Sequence, residues 1–230
     1  MRKRWILFRN QSISMPVNLK NIPVFEGLQE DDVRTLAEKA VVRNFSKNTI
    51  VINQGDLTDS FYVILTGKVK VYLADESGKE LILDIKGPSQ YFGEMVLDEG
   101  PRSASVVTME PSQFAVISRN DFRNFLLKHP EIALHVITNL IRTARGLNEN
   151  VKSLTMLDVY GRVARMLLDL AVERDGHMVI LEKLTQKDMA NRVGASREMI
   201  NRILRDLSTG GYIKVESGRI TIQKAPPPRW

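Results

Sequence analysis

Hydrophobic residues in the N-terminal half of the chain alternate with polar ones at a period of two. Val69, Val71 and Leu73 are separated by a lysine and a tyrosine, which is typical of a half-buried β-strand. Further candidate strands are the apolar runs 50–52, 61–65, 81–83 and 114–117. Glycine-containing turn segments separate them, at 54–56, 66–67, 75–78, 87–88 and 99–101. Many short strands at this spacing predict a β-barrel or jelly roll over residues 41–118, after a helix at 29–39.

After Ser118 the hydrophobic period changes to that of helices. Residues 119–128 predict a short amphipathic helix and residues 130–157 a longer one. The apolar positions of the longer helix are spaced four and three apart: Ala133, Ile137, Leu140, Ala144, Leu147, Val151 and Leu154. This heptad pattern suits a second copy of the same helix better than a helix lying on its own domain, because the other faces are polar. We therefore predict a parallel homodimer with Ile137, Leu140, Ala144, Leu147, Val151 and Leu154 in the interface.

The C-terminal part carries two short helices in close succession. Thr185 can cap a helix over 186–193, with Asp188 completing a capping box, and Ser196 can cap a second helix over 197–207. A helix at 159–171 and a strand at 178–181 precede them, and a hairpin formed by 212–215 and 219–222 follows. Two capped helices around a glycine turn, followed by a hairpin, predict a winged helix-turn-helix.

The second of these helices has two chemically different faces. At 100° per residue, Arg197, Glu198, Asn201, Arg202 and Arg205 fall within an arc of about 140°. The opposite arc holds Met199, Ile200, Ile203, Leu204 and Leu207. Arginine can donate two hydrogen bonds to guanine, and glutamate can accept one from cytosine. A modest excess of basic residues, taken together with the capped helix-turn-helix and the hairpin, favours a DNA-reading helix over a solvated surface helix. The candidate DNA-contacting residues are Gln186, Ser196, Arg197, Glu198, Asn201, Arg202 and Arg205.

One segment of the strand-rich half combines groups that could hold a nucleotide. Gly93 precedes a short helical turn whose N–H groups suit an anion, and Arg102 and Ser103 can donate to a phosphate. Glu94 can accept from a ribose hydroxyl. The alternative is a surface turn with an incidental ion pair, and the residues alone leave both open.

Composition narrows the possible chemistry. The formal charge of +6 and a pI near 9.5 favour an anionic partner such as nucleic acid or a membrane surface. Cysteine is absent, which excludes disulfides and thiolate-held zinc or iron–sulfur centres. His129, His135 and His177 are scattered along the chain, so we predict no metal site. We also predict no catalytic residue and no cofactor.

The sequence contains no apolar run of the length that a membrane helix needs. Residues 1–8 begin like a signal peptide, but their apolar stretch ends after four residues. We expect a cytoplasmic protein without a membrane partner. Met15 is an alternative start, because the patterned sequence begins near Asn18.

Four segments resemble a known family. Phe92-Gly-Glu-Met95 and Pro101-Arg-Ser-Ala104 resemble the phosphate-binding cassette of cyclic-nucleotide-binding domains. Segments 157–162 and 194–202 resemble the hinge and recognition helix of the CRP/FNR family of bacterial regulators. The resemblance implies an α+β fold with an N-terminal cyclic-nucleotide-binding β jelly roll, a long dimerisation helix and a C-terminal winged helix-turn-helix. The implied divisions are an N-terminal extension at 1–20, the β domain at 21–127, the dimerisation helix at 128–157 and the DNA-binding domain at 158–230.

The resemblance also implies residue roles. The backbone around Gly93, with Arg102 and Ser103, would hold the cyclic phosphate of cAMP, and Glu94 would bind the ribose 2′-hydroxyl; Met95 and Ala104 belong to the same cassette. Arg197, Glu198 and Arg202 match residues that read a TGTGA-type half-site in cAMP receptor proteins. One position departs from the pattern, because Leu147 and Asn148 stand where those proteins have a Thr-Ser pair that contacts adenine. Asn148 is the remaining candidate for a contact with the purine.

The expected mechanism is a shift of population. Bound nucleotide would favour one arrangement of the helix pair and place two recognition helices about 34 Å apart, so that they enter successive major grooves of double-stranded DNA. RNA polymerase is the expected protein partner. The alternatives are a nucleotide-independent regulator of the same family or one that answers another effector, a sequence-neutral architectural DNA binder, and an enzyme such as a phosphodiesterase. The enzyme is disfavoured because no metal constellation or nucleophile–base pair is evident.

Overall fold

A computed structural model describes residue 19 and residues 22–98, 100–174, 176–216 and 218–226. The predicted N-terminal extension, apart from Leu19, and the alternative start Met15 lie outside the described residues. The chain divides into two compact units, one formed by residues up to 71 with 84–138 and the other by residues 72–83 with 139 onward. The grouping of residues 72–83 with the C-terminal part was not expected. The predicted domain boundaries stay predictions.

The N-terminal half folds into two facing antiparallel β-sheets. Its described strands are β1 (Val41–Phe45), β2 (Ile50–Ile52), β3 (Ser60–Thr66), β4 (Val69–Ala74), β5 (Glu80–Lys86), β6 (Tyr91–Phe92), β7 (Ser105–Thr108) and β8 (Ser112–Ser118). One sheet has the order β1-β8-β3-β6 and the other β2-β7-β4-β5. This arrangement confirms the predicted jelly roll.

The alternation of side chains along the strands builds two cores. Ile64, Phe92 and Phe114 point between the sheets and pack with apolar residues of the facing sheet. Phe61 and Val63, on the opposite face of β3 from Ile64, belong instead to a second core beneath the helices. Tyr72 alternates with Val69 and Val71 along β4, as predicted, but its side chain is buried, whereas Lys70 on the same face is half-buried.

Three helices begin in this unit: α1 (Glu30–Lys39), α2 (Arg119–Lys128) and α3 (Pro130–Met156), whose residues from 139 onward are grouped with the other unit. The bounds of α2 agree with the prediction, and Ser118 caps it by accepting a hydrogen bond from the Asp121 amide. Only the first turns of α3 are buried, through Ile132 and Val136. The helix ends at Met156, one residue before the predicted end.

The C-terminal unit contains the predicted helix-turn-helix and hairpin. Its elements are α4 (Val159–Leu170), β9 (Ala171–Arg174), β10 (His177–Ile180), α5 (Gln186–Val193), α6 (Arg197–Thr209), β11 (Ile213–Glu216) and β12 (Arg219–Ile222). The four strands form a sheet in the order β11-β12-β10-β9. Strand β9 was missed, because residues 171–174 were predicted as the end of a helix and a loop. The tail beyond residue 226 lies outside the described part of the chain.

Candidate effector cavity and nucleic-acid interface

A small cavity of about 60 Å³ opens in the N-terminal unit between the end of β5 and the segment that joins β6 to β7. Its lining residues are Ile52, Val71, Lys86, Phe92, Gly93, Glu94, Met95, Arg102, Ser103, Ala104 and Val106. Apolar side chains from four strands, β2, β4, β6 and β7, form one part of the wall. Charged and polar groups from the β6–β7 segment form another part. An apolar wall with a few convergent polar groups is typical of a small-molecule site.

Gly93 determines how the backbone enters this cavity. It caps a 3₁₀ turn over Glu94–Leu97 and has a φ of 84°, in the left-handed region that favours glycine. A Cβ at this position would lie 3.1 Å from the Ser60 carbonyl oxygen, 3.2 Å from the Tyr62 ring and 3.4 Å from Arg102 Nη1. Both the backbone conformation and the close neighbours therefore require glycine.

The guanidinium of Arg102 is held inside the unit by neutral oxygen atoms. Its Nε donates to the Thr58 hydroxyl at 2.6 Å, Nη1 to the Gly93 carbonyl at 2.7 Å, and Nη2 to the Ser60 carbonyl at 2.6 Å. The residue is only 4% exposed. Three of the five N–H groups of the guanidinium are thus engaged, and two remain for another acceptor.

The electrostatic environment of Arg102 is unusual for a buried charge. Burial lowers the pKa of the guanidinium, while the nearby Tyr62 and Glu94 act in the opposite direction. Among the described residues, no carboxylate forms an ion pair with it. A buried cation without a paired anion is costly, so an anionic ligand at the cavity would stabilise this arrangement.

Six of the seven predicted effector residues line the cavity together: Gly93, Glu94, Met95, Arg102, Ser103 and Ala104. The seventh, Asn148, is an exposed residue of α3 in the other unit, and its contact with a purine stays a prediction. Sequence reasoning missed Lys86, a cation of the lining, and the apolar wall. Nothing in the sequence of β5 distinguishes Lys86 as a lining residue, because polar and apolar residues of this strand are half-buried alike.

In the C-terminal unit, α6 presents the two faces that the sequence predicted. Ile200, Ile203 and Leu207 are buried in the core of the unit. The predicted DNA-contacting side chains are all exposed: Gln186, Ser196, Arg197, Glu198, Asn201, Arg202 and Arg205. The guanidiniums of Arg197 and Arg202 therefore remain available to a partner. Their roles in DNA contact stay predictions at this point.

Local hydrogen bonds fix the start of both helices. Thr185 and Asp188 form the predicted capping box on α5, and Ser196 accepts from the Met199 amide at the start of α6. Gly194 joins the helices with a φ of 67°. Backbone and side-chain hydrogen bonds at the helix start lower the pKa of Glu198, which keeps this exposed carboxylate ionised as an acceptor.

The apolar stripe of α3 is open in the single chain. Ile137, Leu140, Leu147, Val151 and Leu154 are all exposed although they are large and hydrophobic, and Ala144 is exposed with them. Leu134 and Ile141, which are outside the predicted heptad positions, are also exposed. A continuous exposed apolar surface of this kind is typical of an interface.

Family models match both parts of the chain. Residues 42–129 match the cyclic nucleotide-binding domain and residues 161–226 the Crp-like helix-turn-helix domain. The chain belongs to the CRP/FNR family. The family consists of DNA-binding transcription regulators that carry a cyclic nucleotide-binding domain, rather than of enzymes. The predicted family and fold are therefore confirmed.

Individual family members agree with this assignment. The chain is 33% identical to the CRP-like cAMP-activated global transcriptional regulator of Mycobacterium tuberculosis over 86% of its own length and 91% of the relative's. The structure of Thermus thermophilus catabolite activator protein is 29% identical, covers 88% of this chain and 94% of its own, and has a TM-score of 0.54. The c-di-GMP responsive regulator CLP of Xanthomonas campestris shares the fold, with a TM-score of 0.74, 22% identity and coverage of 84% and 99%.

Metal-binding side-chain clusters and membrane-spanning helices are both absent from the described residues. The described ranges hold no group of three or more histidine, aspartate or glutamate side chains placed to bind a metal ion. Within the same part of the chain, no helix combines the length and hydropathy that crossing a bilayer requires. The predicted cytoplasmic location stays a prediction.

Proposed function

We propose that the protein is a homodimeric transcription regulator that binds cAMP and, in response, a TGTGA-like palindromic DNA site. The name of the Mycobacterium tuberculosis relative describes it as cAMP-activated, and a Thermus thermophilus relative, 29% identical, is a cyclic AMP receptor protein. The intact phosphate cassette around the cavity supports the same ligand class. No catalytic step is part of this proposal.

The observation that carries the proposal is the guanidinium of Arg102. It is buried beside the cavity and bonded only to neutral oxygens, with two N–H groups left over. A cyclic phosphate supplies one negative charge and two free oxygens, which match those two donors. Ser103, which is exposed on the lining, adds a hydroxyl donor.

The remaining parts of the nucleotide have candidate partners as well. Glu94 lines the cavity and offers a carboxylate that can accept a hydrogen bond from the ribose 2′-hydroxyl. Ile52, Val71 and Val106 offer apolar surface to the faces of the base. Asn148 can donate to and accept from a purine edge, whereas Leu147 cannot.

On the DNA side, α6 is proposed to read base edges in the major groove. Arg197 and Arg202 donate to guanine and Glu198 accepts from cytosine, while Ser196 and Gln186 contact the phosphate backbone. Asn201 accepts a hydrogen bond from Gln186 at 3.3 Å, which links the first helix to the reading face. The hairpin β11–β12 forms the wing beside it.

The two activities are coupled through the helix pair in this proposal. cAMP favours the arrangement of the dimer that spaces two α6 helices for successive major grooves, and DNA binding then presents the complex to RNA polymerase. Such a switch requires cAMP to bind one arrangement more tightly than the other. A ligand with equal affinity for both arrangements would change nothing.

The test measures each activity separately and then their coupling. Calorimetry with cAMP and cGMP is carried out on the wild type and on Arg102→Leu, and fluorescence anisotropy follows binding to a TGTGA palindrome with and without nucleotide. We expect cAMP binding by the wild type, loss in Arg102→Leu, and nucleotide-dependent DNA affinity. Identical DNA affinity with and without every nucleotide would refute the switch.

One observation favours a second candidate, a nucleotide-independent regulator that keeps the cassette as a structural element. All three hydrogen bonds of Arg102 hold protein segments together without any ligand, joining Thr58 and Ser60 to Gly93. In that case Arg102→Leu would lower the unfolding temperature while DNA affinity in the wild type would be the same with and without nucleotide. The calorimetric experiment separates the two candidates.

A further inference from the structure

The effector cavity has a second cation that the phosphate cassette does not account for. Lys86 is the last residue of β5 and belongs to the cavity lining together with Arg102 and Glu94. Its side chain is only 14% exposed. Lysine is rarely buried to this extent unless its ammonium group has a partner, because the charge is strongly hydrated in water.

In the structure, the ammonium group of Lys86 is paired with a carboxylate that is half-exposed to water. Its Nζ lies 3.1 Å from Oδ2 of Asp84, whose side chain is 51% exposed. Oδ1 of the same carboxylate accepts a hydrogen bond from the Ile85 amide at 2.8 Å. Because about half of the Asp84 side chain is in contact with water, its carboxylate stays hydrated when the Lys86 ammonium group turns to another acceptor. A ligand oxygen can therefore replace this partner without leaving the lysine charge unpaired.

We propose that Lys86 donates to a phosphate oxygen of the bound nucleotide and is a ligand-binding residue of the effector site. This inference rests on the proposed function and deepens it. The lining carries the formal charges of two cations and one carboxylate, and a single negative charge on the ligand balances them. A cyclic mononucleotide supplies that charge. Lys86 therefore strengthens the attraction of the lining for an anionic ligand.

The experiment compares cAMP affinity in four proteins by calorimetry: the wild type, Lys86→Met, Asp84→Asn and Lys47→Met. Lys86→Met keeps an unbranched apolar side chain similar to the aliphatic part of lysine and removes the charged end. Lys47 is an exposed lysine of the same unit outside the cavity lining, so its variant controls for the change in net charge. Asp84→Asn removes the present partner of Lys86 and leaves the lysine in place.

We expect Lys86→Met to weaken cAMP binding about tenfold or more, because a hydrogen bond from a charged donor is lost. Lys47→Met should stay within about twofold of the wild type. Asp84→Asn should bind cAMP at least as tightly as the wild type, since Lys86 is freed for the ligand. If Asp84→Asn and Lys86→Met weaken binding equally, the lysine only maintains its ion pair and the inference is wrong. Equal affinities of Lys86→Met and Lys47→Met also overturn it.

The outcome separates this inference from the function on which it rests. If the wild type binds neither cAMP nor cGMP, or if Arg102→Leu binds like the wild type, both fail. If Arg102→Leu abolishes binding and Lys86→Met does not weaken it, only the role of Lys86 fails. Thermal unfolding without nucleotide checks that each variant is folded. Lys86→Gln, which keeps a polar end, replaces Lys86→Met if that variant does not fold, with the same expected loss.

Discussion

Two different constraints meet at Gly93. The positive φ of 84° disfavours any residue with a Cβ, and the space beside the Cα is filled by the Ser60 carbonyl and the Arg102 guanidinium. Gly27 has only the first constraint, because its φ is 90° but nothing lies within 4 Å of a Cβ built there. Comparing substitutions at Gly93 and Gly27 therefore distinguishes the effect of backbone strain from the effect of crowding at the cavity.

We expect Gly93→Ala to lose most of its cAMP affinity, because the methyl group displaces Arg102 or the 3₁₀ turn. Gly27→Ala should cost a similar amount of stability from strain, of the order of 1 kcal/mol, and bind cAMP like the wild type. Calorimetry and thermal unfolding of both variants check this. Equal cAMP affinities of the two alanine variants would show that the crowding at Gly93 has no part in ligand binding.

Arg197 is the residue that best separates base reading from general attraction to DNA. A bidentate arginine–guanine contact discriminates by about 1–3 kcal/mol, which corresponds to roughly a 5- to 150-fold change in affinity. We expect Arg197→Ala to weaken binding to a TGTGA palindrome by at least this factor, because the dimer loses one such contact in each half-site, and to weaken binding to a scrambled duplex much less. Anisotropy titrations at fixed salt measure both. An equal loss on both duplexes would support the sequence-neutral architectural binder instead.

At the scale of whole elements, the stability of the helix-turn-helix depends on the residues that cap its helices. Ser196 caps α6 with one hydrogen bond to the Met199 amide, whereas Ser208 lies exposed in the last turns of the same helix. We expect Ser196→Ala to lower the free energy of unfolding of the protein by about 1 kcal/mol. Ser208→Ala makes the same chemical change without removing a cap and should be neutral or slightly stabilising. Chemical denaturation of both variants measures the difference, and equal effects would argue against the cap.

Those caps also explain why some elements could be predicted from the sequence. The bounds of α2 and α5 agree with the prediction because Ser118, Thr185 and Asp188 signal the helix starts locally. Strand β9 could not be predicted in this way. Residues 171–174 form a strand because they pair with β10, from Ala171 opposite Ile180 to Arg174 opposite His177, and such pairing depends on tertiary context.

The candidate effector site was predictable to the same extent. Gly93, Glu94 and Arg102 lie within ten residues of one another, so a short motif revealed them. The acceptors that hold Arg102 come from Thr58 and Ser60, more than forty residues earlier in the chain. Lys86 reaches the lining from another strand. A sequence motif identifies the phosphate-binding groups, and only the fold shows what surrounds them.

At the scale of the whole molecule, the exposed stripe of α3 predicts the oligomeric state. Val151 lies on the stripe and is 59% exposed in the single chain. In a parallel helix pair it would be buried twice, once from each subunit. Burial of one such side chain contributes about 1.5 kcal/mol or more, so the two together correspond to roughly a 100-fold change in the dimer dissociation constant.

We therefore expect Val151→Lys to raise the dissociation constant of the dimer at least about 100-fold, because a lysine at this position also adds like charges across the pair. Leu57→Lys places the same charge on an exposed leucine outside α3 and should leave the dimer unchanged. Sedimentation equilibrium over a range of concentrations measures both. The monomeric variant should also lose affinity for a palindrome far more than for a single half-site, since only the dimer can engage both halves at once. If Val151→Lys still sediments as a dimer, the apolar stripe of α3 is not the dimer interface, and the proposed coupling of cAMP binding to DNA binding through the helix pair is wrong.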